Sequence, residues 1–171
     1  MMRIYIPATL AMLQQLVANG SLRPVSGTAF AVTPKLREAY AEGDDDELAE
    51  VAMREAALAS LRLLAGAADA ADPAEALPLR RAVLVADVGD VTLRPDLDDA
   101  VVRIADPVTI DDVVAAFVDN PAAEEQVKAA IEVVDAADLG DEDAELTVGD
   151  AQDHDLAWYA VQELPFLLEL L

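Results

Sequence analysis

The single histidine of the chain lies in the stretch GDAQDHDLAWY, among residues that can take part in acid–base chemistry. Aspartates flank this histidine on both sides, and a tryptophan follows one helical turn later. A carboxylate beside an imidazole can take up or release a proton near neutral pH. The candidate catalytic residues are therefore His154, Asp153, Asp150 and Trp158, acting on a small cationic or neutral substrate.

No further residue completes a metal or nucleophile site around this histidine. The chain has no cysteine and no second histidine, so neither a Cys-bound zinc nor the motif H-E-x-x-H is available. The acidic runs at 44–47 and 142–143 lack the spacing of an EF-hand loop. We predict no metal and no cofactor, and the favoured interpretation of His154 is a polar residue near a helix start.

Two threonines stand where a strand is expected to pass into a helix. Thr9 and Thr109 each precede an apolar helical pattern, and free N–H groups at such a helix start can bind an anion. Their side chains can also cap the helix, and T-I-D-D places Asp112 where a capping box needs it. Neither a P-loop nor a dinucleotide motif is present, so capping is favoured over anion binding.

The charge of the chain restricts its partners. There are 34 acidic residues against 11 basic ones, a formal net charge of −23. Nucleic acid and anionic membranes need clustered Lys and Arg, so neither is an expected partner. The plain interpretation of the charge is solubility. The alternatives are a ligand for a basic protein and a DNA mimic, which requires acids spaced like phosphates along one face.

Cysteine content and hydropathy bear on the compartment. Without cysteine the chain can form no disulfide and no thiolate nucleophile, which is consistent with a cytoplasmic location. No apolar stretch reaches the roughly 18 residues that a membrane-spanning helix needs. We therefore expect a cytoplasmic protein without a membrane partner.

Hydrophobic periodicity and turn residues predict the elements that must position these side chains. Strands are predicted at 3–6, 28–33, 80–88, 91–95, 100–105 and 144–148. Helices are predicted from Thr9 to Gly20, at 34–41, at 46–64, from Thr109 to about 117, from 120 to 137 and at 153–170. Gly89 and Asp90 are typical of a two-residue turn that joins 80–88 and 91–95 as a hairpin.

Two segments of the chain are echoed about 100 residues later. RIYIPATLAMLQQLV at 3–17 matches RIADPVTIDDVVAAF at 103–117, and LAEVAMRE at 48–55 matches LAWYAVQE at 156–163. The echoes predict a duplication with half-units 1–65 and 100–171. A flexible linker at 66–79 and a hairpin would join them within 66–99.

These elements predict a single α+β domain over residues 1–171. We expect a mixed or mainly antiparallel sheet of about five or six strands covered by helices, with a possible internal pseudo-two-fold. The oligomeric state is expected to be monomer or homodimer.

Four stretches carry a resemblance to known proteins: RIYIPATLAML, TAFAVTPKLREAY, DAADLGDEDAELTV and HDLAWYAVQEL. In this order they resemble a family of small actinobacterial proteins known only as a domain of unknown function. The resemblance implies a cytoplasmic protein from a high-GC actinobacterium. It implies no activity, cofactor or catalytic residue.

The absence of a complete catalytic or metal motif favours a non-catalytic, cytosolic protein-interaction or regulatory module with an unknown protein partner. The alternative is an enzyme that acts through His154 and nearby carboxylates. A concave pocket with this histidine on its wall would favour the alternative.

Overall fold

A computed structural model describes residues 1–68 and 77–171 of the chain. Within these two ranges the strands are β1 (Met2–Ala8), β2 (Ser21–Leu22), β3 (Thr28–Phe30), β4 (Ala82–Val88), β5 (Val91–Leu93), β6 (Val101–Ile104), β7 (Val108–Thr109), β8 (Val113–Asp119) and β9 (Leu156–Ala160). The helices are α1 (Leu10–Asn19), α2 (Pro34–Ala39), α3 (Asp45–Ala68), α4 (Glu124–Asp138), α5 (Glu142–Gln152) and α6 (Leu164–Glu169).

The main sheet is antiparallel throughout and has the strand order β5-β6-β3-β1-β4-β8-β9. A small second sheet pairs β2 with β7. The α+β class and the antiparallel sheet are confirmed. The main sheet has seven strands within the described residues, more than the five or six expected, because two segments expected to be helical add strands to it.

The two faces of the sheet are covered by different helices. Side chains alternate along a strand, so Ile4 and Ile6 point to one face while Tyr5 points to the other. Helices α1 and α6 cover the first face with leucines, and α3 covers the second with Leu48, Ala52 and Ala56. The small side chains of α3 allow it to approach the sheet closely. The hairpin of α4 and α5 packs beside the later part of α3 in a third cluster.

Local signals position the helix starts as the sequence indicates. The Thr9 hydroxyl accepts a hydrogen bond from the Met12 N–H at 3.3 Å, and Gly20 ends α1 at a φ of 75°. Thr33 caps α2 in the same way, with proline in the next position. The predicted helices at 34–41, 46–64 and 120–137 are therefore confirmed, with small changes at their ends.

The helix predicted from Thr109 to about 117 is wrong. Thr109 and Asp112 do form the predicted capping box, but it caps a single 3₁₀ turn that passes into strand β8. The sequence of β8, VVAAFVD, is rich in β-branched residues, and it pairs on both sides, with β4 and β9. Tertiary pairing therefore overrides the helical spacing of the apolar residues.

The helix predicted at 153–170 is also wrong over most of its length. Residues Leu156–Ala160 form β9 on the edge of the sheet, and only Leu164–Glu169 is α-helical. Its aromatic pair, Trp158 and Tyr159, suits a strand better than a helix. The weak strand predicted at 144–148 lies instead inside α5, which Asp141 caps through the Ala144 N–H.

Two strand predictions need correction in their pairing and length. Strand β5 follows the predicted turn but pairs with β6, so 80–88 and 91–95 do not form a hairpin. Strand β1 continues through Pro7 to Ala8 instead of ending at the proline. Pro7 lies opposite Val83 of β4. On the other side of β1, β3 pairs only at Tyr5, so no residue of β3 needs the main-chain N–H that proline lacks.

The echoed sequences do not adopt the same structure. Residues 10–17 are helical, whereas their counterparts form a 3₁₀ turn and a strand. Residues 48–55 are helical, whereas 156–160 form a strand. The half-units stay a prediction that these elements do not support. Of the predicted linker at 66–79, residues 66–68 end α3 and residues 69–76 lie outside the described residues.

Candidate functional site

The face of the sheet beneath α3 is left open at one edge. Helix α3 packs mainly on β1, β3 and β4, so it leaves the adjoining surface of β8 and β9 uncovered. Phe117 and Trp158 lie side by side on this surface, as register partners. Trp158 is 58% exposed although it is a large aromatic side chain. We call this open surface the α3–β9 groove.

Two adjoining cavities form the groove. The larger has a volume of about 340 Å³, and the smaller about 220 Å³. They share Glu50, Met53 and Phe117 as lining residues, so they are continuous along α3. The remaining lining residues of the larger cavity are Arg3, Tyr5, Ala49, Val85, Val114, Ala115 and Trp158. Those of the smaller cavity are Arg54, Ala57, Arg81, Gln152, His154, Asp155 and Leu156.

A bidentate ion pair lies at the larger cavity. Nε and one terminal nitrogen of Arg3 donate to the two Asp87 oxygens at 3.0 and 3.1 Å. The Arg3 hydrogen bond holds the pKa of Asp87 below its usual range. Burial raises the pKa of the neighbouring Tyr5, so its hydroxyl stays protonated at neutral pH. The positive charge of Arg3 is thus already compensated at this end of the groove.

A fully buried ion pair lies at the smaller cavity. The Arg81 side chain is 1% exposed and that of Asp119 is 0% exposed. Arg81 donates two hydrogen bonds to the Asp119 carboxylate at 2.8 Å each. Its other terminal nitrogen donates to Gln152 Oε1 at 2.7 Å, and the nitrogen shared with Asp119 also donates to the His154 carbonyl at 2.8 Å.

This network fixes the end of α5 against the groove. Gln152 also donates to the Arg54 carbonyl of α3 at 3.2 Å, so it links α5, α3 and the ion pair. The chain then turns through His154 into β9. These contacts use four of the five guanidinium N–H groups of Arg81, and the Asp119 carboxylate compensates its positive charge.

The structure separates the four residues proposed for catalysis. His154 lines the smaller cavity and Trp158 the larger one. Asp153 is exposed and caps the C-terminal end of α5, and Asp150 is exposed on the same helix; neither lines either cavity. The carboxylate nearest in sequence that does share the His154 cavity is Asp155. His154 therefore follows α5 and precedes β9, where a helix start was expected.

The lining of the groove is made of aromatic, apolar, charged and amide side chains and one histidine. Among the described residues that line its two cavities there is no serine, threonine or cysteine. Aromatic and apolar side chains form its floor, and Glu50, Arg54 and Asp155 stand exposed at its rim. Tryptophan and tyrosine are enriched at the centres of protein interfaces, where they are surrounded by polar residues.

The remaining candidate positions have structural roles. Thr9 caps α1, and Thr109 caps a 3₁₀ turn of three residues, so Thr109 heads no helix that could hold an anion. Asp44 accepts a hydrogen bond from the Glu47 N–H at 2.8 Å at the start of α3, and residues 142–143 begin α5. Over residues 1–68 and 77–171 no group of three or more His, Cys, Asp or Glu side chains could hold a metal ion.

His154 and Trp158 are the groove residues that the sequence singled out, as catalytic candidates; the rest of the groove was not predicted. Met53, Glu50 and Phe117 were predicted only as parts of helices. The buried pair had a readable signal, because Arg81 and Asp119 stand at the ends of two apolar runs, RAVLVADV and VVAAFVD. Their pairing required knowing that β4 and β8 are antiparallel neighbours.

Comparison with protein-family models matches residues 2–168 to a family described as "Family of unknown function (DUF6912)". No curated protein and no solved structure matches the chain. In the described parts of the chain, none of the helices is long and apolar enough to cross a membrane.

Proposed function

The chain belongs to the family of unknown function DUF6912, and from this premise we propose that it is a non-catalytic protein-interaction or regulatory module of the cytosol. The α3–β9 groove is its binding surface. The observation that carries this proposal is the exposure of Trp158 beside the apolar side chains of Phe117 and Met53. Exposing such an aromatic costs free energy in water that a bound partner would recover.

The composition supports the cytosolic part of the proposal. A chain without cysteine forms no disulfide, which is consistent with a reducing compartment. The strongly negative charge keeps nucleic acid and anionic membranes away from the groove. The four stretches that resemble a family of small actinobacterial proteins also support an actinobacterial source for the chain.

Site-specific photo-crosslinking in cells of the source organism tests this proposal. A photoreactive residue replaces Trp158 in one variant and Leu139, between α4 and α5, in a matched control; Leu139 is 90% exposed. We expect a discrete crosslinked protein from position 158 that is absent from position 139. The same crosslinks from both positions, or none from position 158, contradict the proposal.

The alternative function is an enzyme that binds a small cationic or neutral substrate in the 220 Å³ cavity. The observation in its favour is that His154 lines this cavity together with Asp155 and Glu50. A thermal-shift screen with diamines, arginine and choline tests it. A compound that stabilises the wild type but not the variant His154→Ala supports the enzyme; no such compound in the panel counts against it.

A further inference from the structure

We propose that the partner is a basic, extended segment that adds a strand to the free edge of β9. This inference rests on the proposed function, because it specifies how the α3–β9 groove is occupied. It follows from three features of β9: an edge that no described strand covers, an open face, and carboxylates at both ends.

Strand β9 is the last strand of the main sheet. Its five residues pair with β8 on one side, and no strand within residues 1–68 or 77–171 pairs with its other side. The N–H and C=O groups along that side can therefore form a ladder with an added strand. Five residues of strand span about 17 Å, so a segment of about five to seven residues would match the edge.

One face of β9 is covered by the core and the other is open to the groove, so the two faces of an added strand would have different surroundings. Tyr159 and Val161 pack with the core cluster that contains α6, so this face is covered. On the other face Trp158 lines the 340 Å³ cavity next to Phe117 and Met53. Alternate side chains of an added strand point to the same face, so every second side chain would lie on the groove side beside Trp158. Those side chains are expected to be apolar.

The charges around β9 select a basic segment. Asp153 and Asp155 precede the strand, Glu163 follows it, and Glu50 lines the groove. The arginines Arg3 and Arg81 are paired with Asp87 and Asp119. Arg54 at the rim is the third arginine of the groove, and its single charge is outnumbered by these four carboxylates. Lysine or arginine at both ends of the added strand would lie near the carboxylates that flank β9, and complementary charge increases both the rate and the selectivity of association.

A second copy of the chain is a poor occupant of the same edge. Antiparallel pairing of two β9 strands centred on Trp158 would bring Asp153 of one copy towards Glu163 of the other. Each copy also carries a formal charge of −23. Like charges placed opposite each other across strands are destabilising, so the ends of β9 oppose self-pairing.

A labelled synthetic peptide tests the proposal by fluorescence anisotropy with the full chain. The probe is Lys-Lys-Val-Thr-Phe-Thr-Val-Lys-Lys, which alternates apolar and polar residues between basic ends. We expect saturable binding that weakens with added salt, because the attraction is electrostatic at the rim. The same peptide with Glu in place of Lys should not bind. No binding of the basic peptide up to about 1 mM, or equal binding of the acidic one, overturns the inference.

Backbone methylation of the peptide distinguishes strand addition from other docking. One version carries N-methyl groups on alternate residues, and a second version carries them on the intervening residues. Because strand N–H groups alternate in direction, one version should lose binding at least about tenfold while the other keeps it. Equal affinity of the two versions overturns strand addition but leaves the groove as an interaction surface.

Protein variants locate the binding site and identify the other occupants. Trp158→Ala and Asp155→Asn should each weaken peptide binding, whereas the control Asp143→Asn at the far end of α5 should not. Equal effects of Asp155→Asn and Asp143→Asn overturn the assignment to β9. Sedimentation that finds a dimer abolished by Trp158→Ala shows a second copy in the groove and overturns the basic segment. The crosslinking experiment tests the proposed function separately.

Discussion

Arg81 and Asp119 face each other at the ends of β4 and β8 and hold both strands through main-chain and side-chain hydrogen bonds. The Arg81 N–H donates to Asp119 Oδ2 at 2.8 Å, and the Asp119 N–H donates to the Arg81 carbonyl at 3.1 Å. The guanidinium adds its bidentate contact to the same carboxylate. The pair therefore closes the ladder between these strands at the point where α5 meets the sheet.

Removing one member of this pair should destabilise the fold strongly. Arg81→Met leaves a buried carboxylate without its cation, which costs about 3–5 kcal/mol of unfolding free energy. Urea denaturation measures the loss. The double variant Arg81→Met/Asp119→Leu removes both charges and should recover part of it. A single variant as stable as the wild type would show that the pair contributes little.

Ser60 should contribute stability through two buried hydrogen bonds. Its hydroxyl donates to the Ala8 carbonyl at 2.6 Å and accepts from the Ala82 N–H at 3.0 Å, so it joins α3 to the ends of β1 and β4. Ser60→Ala removes the hydroxyl that bonds both buried main-chain groups, which should cost about 1–3 kcal/mol. Urea denaturation of the purified variant gives the value.

Thr147→Ala is the matched control for the Ser60 variant. The Thr147 hydroxyl donates to the Asp143 carbonyl at 3.1 Å within α5, and this contact is exposed. Water can replace it, so the change should stay within about 0.5 kcal/mol. Equal losses in the two variants would mean that burial is not the cause.

Glu55 should make stability depend on pH. Burial, and then the nearby Asp98 charge, raise the pKa of this carboxyl above its ordinary value of 4.5, against the opposing effects of Arg62 and Arg54. A raised folded-state pKa favours folding below pH 4.5, and this contribution is lost as pH rises through the folded pKa. Glu55→Gln should therefore be more stable than the wild type at neutral pH.

The difference between Glu55→Gln and the wild type should shrink as the pH falls through the raised pKa of Glu55, because the wild-type carboxyl takes up a proton there. Thermal unfolding at several pH values measures it. Glu132→Gln, an exposed change on α4, serves as the control. An advantage of Glu55→Gln that grows towards acidic pH would contradict the assignment.

The parts of the fold that depend on local chemistry could be predicted from the sequence. Thr33-Pro34 starts α2, the acids near Asp45 start α3, and Gly140 follows α4 with a φ of 95°. Each signal acts within one or two turns of chain, so no tertiary contact is needed to interpret it. The helices predicted at 34–41, 46–64 and 120–137 were found for this reason.

Strands β8 and β9 could not be predicted, because their apolar runs are short and fit either period. Their pairing with each other places Phe117 beside Trp158, and only this register creates the groove. Trp158 could be singled out as an unusual residue, but its exposure depends on where α3 ends its coverage of the sheet. The acids that line the groove, Glu50 and Asp155, could not be distinguished from the other acidic residues by sequence alone.

Two glycine substitutions should change stability in opposite directions. Gly27 has a φ of 67°, so alanine there would cost about 1–3 kcal/mol of backbone strain. The added Cβ would also lie 2.5 Å from the Ile104 carbonyl oxygen, so Gly27→Ala should destabilise the fold further through this clash. Gly149 lies inside α5 with nothing within 4 Å of an added Cβ, so Gly149→Ala should stabilise by about 0.5–1 kcal/mol. Paired urea titrations compare them. If both variants lose stability, α5 does not continue through Gly149; if both gain it, the turn before β3 differs from the one described.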